Sequence, residues 1–476
     1  MVHDSLLSDF YELTMANGYF LSGIPEKILY FDLFYRSNPD SGGFAIACGL
    51  ASVIEQLKAL QFTEEDISFL RSKGVFSEDF LSYLKRVHFT GDIWAVPEGT
   101  VVFPNEPILT VRAKAVEAQL IETMLLLLIN HQTLIATKAN RIVRAAAGRT
   151  ILEFGARRAH GVDASISGAR AAYIAGVSAT SNTLADKLYG IPASGTMAHS
   201  WVQVFDNEYQ AFSTYCSLYP KTTSLLVDTY NVLRSGVPNA IRAFKDAGIT
   251  DGSIRIDSGD IAYLSIRSRS MLDEAGLTGI KIVASNSLDE SIIRDILAQG
   301  GRVDIFGVGE RLITAKSDPV FGGVYKLVAA EDNCNNIIPK IKISENISKI
   351  TIPHFKKIYR LYDRQTHKAE ADLLCIHNEE IDFSKPLEIF DPDFPWKRKT
   401  LMDITARELL VPVFSNGELI YTVPSLGETR SYCAEEVNSI WDEVKRFENP
   451  HNYFVDLSQA LWDEKQNLLK QERERA

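Results

Sequence analysis

Cysteine is scarce and scattered. The five cysteines (Cys48, Cys216, Cys334, Cys375 and Cys433) form no C-x-x-C pair, which argues against a zinc site or a disulfide framework and fits a reducing compartment. Long apolar runs are missing too: the longest, Met124 to Ile129, is too short to span a bilayer. The opening residues, Met1-Val-His-Asp-Ser5, have neither the basic nor the apolar region of a signal peptide. A cytoplasmic protein is expected. Positive charge is not in excess, and a net charge of −11 argues against a general nucleic-acid binder or a membrane-surface protein. An anionic substrate would still need a locally basic pocket. There is no internal repeat and no low-complexity tract. What remains is an ordinary globular composition, 46% hydrophobic and 23% charged over 476 residues, enough for two or three domains with ample cores.

Along the chain, residues 5 to 20 have helical spacing, with Ser8 or Asp9 able to cap, and Ile28 to Tyr35 alternates as a strand. Asp92 to Arg112 holds short β runs punctuated by Pro97, Gly99, Pro104 and Pro107, the mark of a small β-sandwich. A long helix is expected from Glu117 to about Gly148, with Arg141, Arg144 and Arg149 near its C-terminal end as the helix dipole favours. Beyond Ala330, segments at 340–344, 357–362, 371–377 and 408–414 look like antiparallel strands, and the last 45 residues look helical.

The middle third carries the chemistry. Five apolar runs end in a chemically useful residue: Thr150 to Arg157, Ser224 to Asp228, Ser253 to Asp257, Lys281 to Ser285 and Val303 to Gly309. Helical stretches such as Val237 to Ala247 and Leu288 to Gln299 separate them, so they read as parallel βα units. Functional residues at the carboxyl ends of such strands are the layout of a (β/α) barrel active site.

Phe154-Gly-Ala-Arg-Arg158 places two guanidinium forks after a strand, suited to a carboxylate or phosphate or, alternatively, to a salt-bridged loop. Gly195-Thr-Met-Ala-His-Ser200 offers a hydroxyl at Thr196 and an imidazole at His199, a general base, a phosphoryl acceptor or a packed histidine. Asp228 and the Arg255-Ile-Asp-Ser-Gly-Asp260 segment bring three carboxylates and an arginine to strand tips. Carboxylates there suit Mg²⁺ or a developing cation, although Asp260 has the position of a plain helix cap. Arg255, two residues before Asp257, lies on the same side of a strand. Ser285-Asn-Ser287 and Gly307-Val-Gly-Glu310 follow strands, where backbone N–H groups bind phosphate.

Taken together, these motifs resemble nicotinate phosphoribosyltransferases, and the resemblance extends over nearly the whole chain. It includes Asp9-Phe-Tyr-Glu-Leu-Thr-Met15, Gly42-Gly43-Phe44, Val96-Pro-Glu-Gly-Thr100 and Gly322-Gly-Val-Tyr-Lys-Leu327 as well as the motifs above. The resemblance implies an irregular (β/α) barrel of the type II phosphoribosyltransferase kind over 126–330, the catalytic domain, with an N-terminal α/β sandwich domain over 1–125 and a C-terminal extension over 331–476 that packs back on the N-terminal domain. It also implies a homodimer with shared active sites. The implied reaction joins nicotinate to 5-phosphoribosyl 1-diphosphate, giving nicotinate mononucleotide and diphosphate with ATP hydrolysis and Mg²⁺. By the family's motifs Tyr11 stacks on the pyridine, and Arg157, Thr196 and Arg255 hold its carboxylate. Asp228 and Asp257 are catalytic, with Asp257 near Mg²⁺. Ser285, Asn286, Gly307, Gly309 and Glu310 line the phosphoribosyl diphosphate, and His199 is the residue phosphorylated by ATP. The family often has Thr where Glu310 stands, so its carboxylate is expected to turn away from the phosphate.

Other readings are a different pyridine (nicotinamide or quinolinate), a non-catalytic nucleotide-binding barrel, or an aldolase-type Schiff base. The last is weakened because Lys281 and Lys326 do not sit at strand tips.

Overall fold

The protein, described here from a computed structural model covering residues 5–346 and 349–475, has two compact units: residues 1–134 with 320–476, and residues 135–319. The first four residues, read above for a leader, lie outside the described ones.

In the first unit a seven-stranded antiparallel sheet runs in the order Ile337–Pro339, Gly323–Glu331, Ile28–Tyr35, Leu109–Lys114, Asp92–Ala95, Val411–Ser415, Glu418–Leu419. The strand at Ile28–Tyr35 has the expected bounds, but seven of its eight residues are buried, because it is a central strand covered on both faces. The stretch from Asp92 to Arg112 is not a sandwich of its own. Two of its runs join this sheet, and Val101–Val102 pairs with Ala45–Ile46. A four-stranded sheet follows the order Ile404–Glu408, Lys356–Asp363, Ala369–Ile376, Val455–Leu457. Residues 340–344, expected as a strand, are irregular; the nearest strand ends at Pro339. The run from Glu408 to Phe414 is split between two sheets. The chain's last part has helices at Leu426–Ser439 and Gln459–Arg475 with a strand between them. Among the described residues no helix is long and apolar enough to cross a membrane.

The single long helix expected from Glu117 is two, Ala115–Leu120 and Glu122–Ala145. Its basic end is only partly a dipole device. Arg149 donates to the carbonyl of Ala146, but Arg141 and Lys138 turn to the buried carboxylate of Glu290.

The second unit is built on six parallel strands in the order Ala179–Thr180, Thr150–Glu153, Ile305–Val308, Lys281–Ser285, Ser253–Ile256, Ser224–Leu226. Helices at Val237–Ala247, Ile261–Glu274 and Glu290–Ala298 connect its later strands. Thr180 also bridges to Ala193 in parallel. Among the described residues no pairing joins the Ala193 edge to the Ser224–Leu226 edge. The fold is thus mixed α/β with a parallel sheet.

Register explains why chemistry sits on one side. In-register parallel partners point to the same face, and alternate residues to opposite faces. One row runs Ile151, Phe306, Ala284, Ile256 and is wholly buried. The next row runs Leu152, Gly307, Ser285 and, one step past the last paired residue, Asp257. The apolar row anchors the sheet, and the other row ends in donors and acceptors.

Candidate active site at the strand tips

Arg255 is the hub. Its Nε donates to Ser285 Oγ at 2.8 Å, Nη1 to Thr196 Oγ1 at 2.7 Å and Nη2 to Asp257 Oδ1 at 2.9 Å. The guanidinium lies 5.6 Å from the centre of the Phe154 ring, within cation–π reach. Ser285 Oγ also donates to Asp257 Oδ1, so this hydroxyl, expected at a phosphate, is committed to the arginine–carboxylate cluster.

Asp228 approaches from the neighbouring strand. Its Oδ2 accepts from the Asp257 amide at 3.1 Å and from Ser258 Oγ at 2.5 Å. Its Oδ1 is buried and has no hydrogen-bond partner. An orphaned carboxylate oxygen inside a protein is costly, and this one stands beside the Arg255–Asp257 cluster. His199 opens a short helix, His199–Val204, with Nδ1 3.1 Å from Thr229 Oγ1 and Nε2 3.8 Å from Asp257 Oδ2. Its side chain is 41% exposed against 13% for Arg255, so a reagent from solvent can reach the imidazole.

The two loops differ. Asn286 and Ser287 both have left-handed backbones, φ 93° and 49°, which bend the chain sharply after the strand. At Gly307 a Cβ would lie 2.5 Å from the Phe154 ring; only glycine lets that ring sit beneath Arg255. Gly309 precedes the short helix Glu310–Ile313. Glu310 pairs with Lys316 at 2.6 Å, and that hydrogen bond holds its carboxyl below the usual range. Arg157 is exposed and makes no ion pair among the described residues. Asp260 caps its helix through Tyr263 N–H. Tyr11 lies in the first unit, on the helix Phe10–Leu21, and is 45% exposed. Burial and the Glu122 carboxylate raise the pKa of its hydroxyl.

Sequence reasoning therefore brought Thr196, His199, Asp228, Arg255, Asp257 and Ser285 to one place. It missed Thr229 and Ser258, whose signal was adjacency to strand-tip acids.

Among the described residues no group of three or more His, Cys, Asp or Glu is arranged to hold a metal alone. Mg²⁺ asks less: one or two carboxylates plus substrate phosphate. Asp228, with its free Oδ1, and Asp257 meet that demand. Concavity alone would have misled. Cavities of about 470 and 1120 Å³ lie in the first unit and contain none of these side chains.

A parallel α/β sheet with arginine, carboxylates and imidazole converging at its strand tips defines an α/β enzyme of the strand-tip kind. Models of the nicotinate phosphoribosyltransferase N-terminal and C-terminal domains match residues 6–130 and 355–465. The nicotinate phosphoribosyltransferase of Bacillus subtilis is 45% identical, covering 99% of this chain and 96% of the relative. A Mycobacterium tuberculosis nicotinate phosphoribosyltransferase is 40% identical, covering 96% and 92%. The crystal structure of human nicotinic acid phosphoribosyltransferase superposes with a TM-score of 0.84 at 28% identity, covering 97% of this chain and all of that one. The chain belongs to the nicotinate phosphoribosyltransferase family.

Proposed function

We propose that the strand-tip site transfers phosphoribose from 5-phosphoribosyl 1-diphosphate to nicotinate, forming nicotinate mononucleotide and diphosphate in the first step of NAD salvage. The observation that carries this is the convergence of Thr196, Ser285 and Asp257 on Arg255, a preset cation for an anionic ring. Phe154 and the Thr196 hydroxyl steer the guanidinium toward the nicotinate carboxylate, with Arg157 as a second cation. Tyr11 stacks on the pyridine in a homodimer with shared sites.

Departure of diphosphate leaves oxocarbenium character at the ribose C1, as in glycoside cleavage. Asp228 Oδ1 and Asp257 supply the negative charge that steadies it. Asp228 and Asp257 would hold a Mg²⁺ together with substrate phosphate, and the ion would supply charge neutralisation for the departing diphosphate. Backbone N–H groups around Asn286, Gly307 and Gly309 receive the 5′-phosphate, while Glu310 stays turned to Lys316. His199 accepts a phosphoryl group from ATP. The added charge and acceptor oxygens would order neighbouring groups and raise affinity for the sugar diphosphate. The wider reading includes an irregular (β/α) barrel around this sheet, the three-part domain division given above, and a cytoplasmic setting.

The test is a panel of nicotinate, nicotinamide and quinolinate with 5-phosphoribosyl 1-diphosphate and Mg²⁺, with and without ATP, measuring mononucleotide and ADP together. Nicotinate should be used far better than the others, and ATP should stimulate with ADP released. Preference for nicotinamide, which lacks the anion, would overturn the role given to Arg255.

A further inference from the structure

Glu153 ends the strand Thr150–Glu153 and is completely buried. No cation pairs with it among the described residues. Instead its two oxygens reach two different segments: Oε1 accepts from the Gly155 N–H and Oε2 from the Thr180 hydroxyl at 2.6 Å. Burial raises its pKa, against the pull of both hydrogen bonds. A carboxyl kept inside without a counter-charge is expensive, and an apolar residue would fill the same place more cheaply.

Both tethered segments lead to Arg255. On one side Gly155 follows Phe154, whose ring lies under the guanidinium. The turn is packed so tightly that a methyl at Gly155 would stand 2.6 Å from Ile313 and 2.7 Å from Glu153 Oε1. On the other side, Thr180 bonds through its backbone to Pro192 and Ser194. That segment runs on to Thr196, the acceptor for Arg255 Nη1.

We infer that Glu153 is a positioning residue: by tying Gly155 to Thr180 it sets the gap between Phe154 and Thr196, and so the direction in which Arg255 presents its guanidinium to the substrate carboxylate. This rests on the role proposed above for Arg255. It assigns Glu153 no contact with substrate.

The experiment compares wild type, Glu153→Ala, Glu153→Gln and Thr180→Val in full kinetics against both substrates. Losing one buried hydrogen-bonding group corresponds to about tenfold. Glu153→Ala should therefore raise KM for nicotinate about tenfold more than KM for 5-phosphoribosyl 1-diphosphate, and narrow the preference for nicotinate over nicotinamide. Glu153→Gln should restore most of the difference, because its amide can accept from Gly155 and donate to the Thr180 hydroxyl. Thr180→Val, which keeps the volume, should move the same ratio in the same direction by a few-fold, and decides the matter if Glu153→Ala does not fold. Equal shifts in both KM values, or none, in a wild type that uses nicotinate, overturn the positioning role alone. A wild type that makes no mononucleotide from nicotinate removes both the role and the reading beneath it.

Discussion

Two arginines, each tied to acids, serve opposite ends. Arg360 in the first unit is wholly buried. It donates through Nε and Nη2 to Asp372 at 2.9 and 2.6 Å, through Nη1 to Glu436 at 2.9 Å and through Nη2 to the carbonyl of Val101 at 2.8 Å. Tyr453 closes the cluster from its hydroxyl, and its ring stacks on Phe103 at 3.9 Å. Arg255 is nearly as well bonded, but its surroundings are unfinished: His199 faces solvent and Asp228 Oδ1 lacks a partner. The Arg360 cluster is sealed from solvent and stabilises the fold even though Glu106 Oε1 within it is also unmet, whereas the Arg255 cluster is open to solvent at His199. What separates a site from a scaffold is access from solvent, not the ion pair and not an unmet atom by itself.

The largest expected effect tests the sealed side. Arg360→Ala strands Asp372 in the interior, leaves Glu436 only Arg407 at 2.7 Å, and should cost about 3–5 kcal/mol in urea unfolding. A loss below about 1 kcal/mol would break the contrast. On the open side, Arg255→Ala should lower kcat/KM for nicotinate about 10²- to 10³-fold, with unfolding free energy moved by less than about 1 kcal/mol. Comparable damage to stability would make Arg255 a second scaffold.

A smaller effect is expected at the exposed imidazole. His199→Ala should retain slow phosphoribosyl transfer but lose an ATP stimulation of about five- to hundredfold. Stimulation undiminished in that variant removes the phosphohistidine.

The smallest sharpens the criterion itself, because an unmet oxygen also occurs away from the strand tips. Glu12 Oε2 is buried without a partner, while Oε1 accepts from Thr123 N–H at 3.0 Å and from its hydroxyl. Burial first, opposed by the Thr123 hydrogen bonds and aided by the charges of Glu122 and Asp9, pushes this carboxyl up from 4.5 to about 7. The folded state thus holds a proton that the unfolded chain releases near 4.5. Stability from this group is greatest below 4.5, falls as pH rises toward 7, and is then level. Glu12→Gln should gain on the order of 1 kcal/mol over wild type above pH 7 and nothing below 4.5. Parallel stability curves for the two proteins across that range would contradict it.

The parallel sheet was largely legible because each strand is a short apolar run with abrupt ends. Lys281–Ser285 has the expected bounds, and the other four long strands fall within their runs. Ala179–Thr180 was not, since two residues are too few to carry a period. Arg255 and Asp257 were readable from their spacing of two, which survives into the 2.9 Å ion pair. Glu153 was passed over because an acid within an apolar run announces neither its burial nor its partners. The break at Ile121 and the partnership of Arg141 with Glu290 depend on residues far away in the chain, where local propensity is silent. The sealed Arg360 cluster was invisible for the same reason.

The bare α-carbon of Gly307 has an architectural consequence. Phe154 is keyed against it, and any methyl there would collide with the ring at 2.5 Å. The floor under Arg255 therefore has a fixed height, set by strand pairing rather than by a pliable loop. A redesign meant to admit a bulkier heterocycle would have to move the walls near Thr196 and Asp228, since the floor offers no depth to carve.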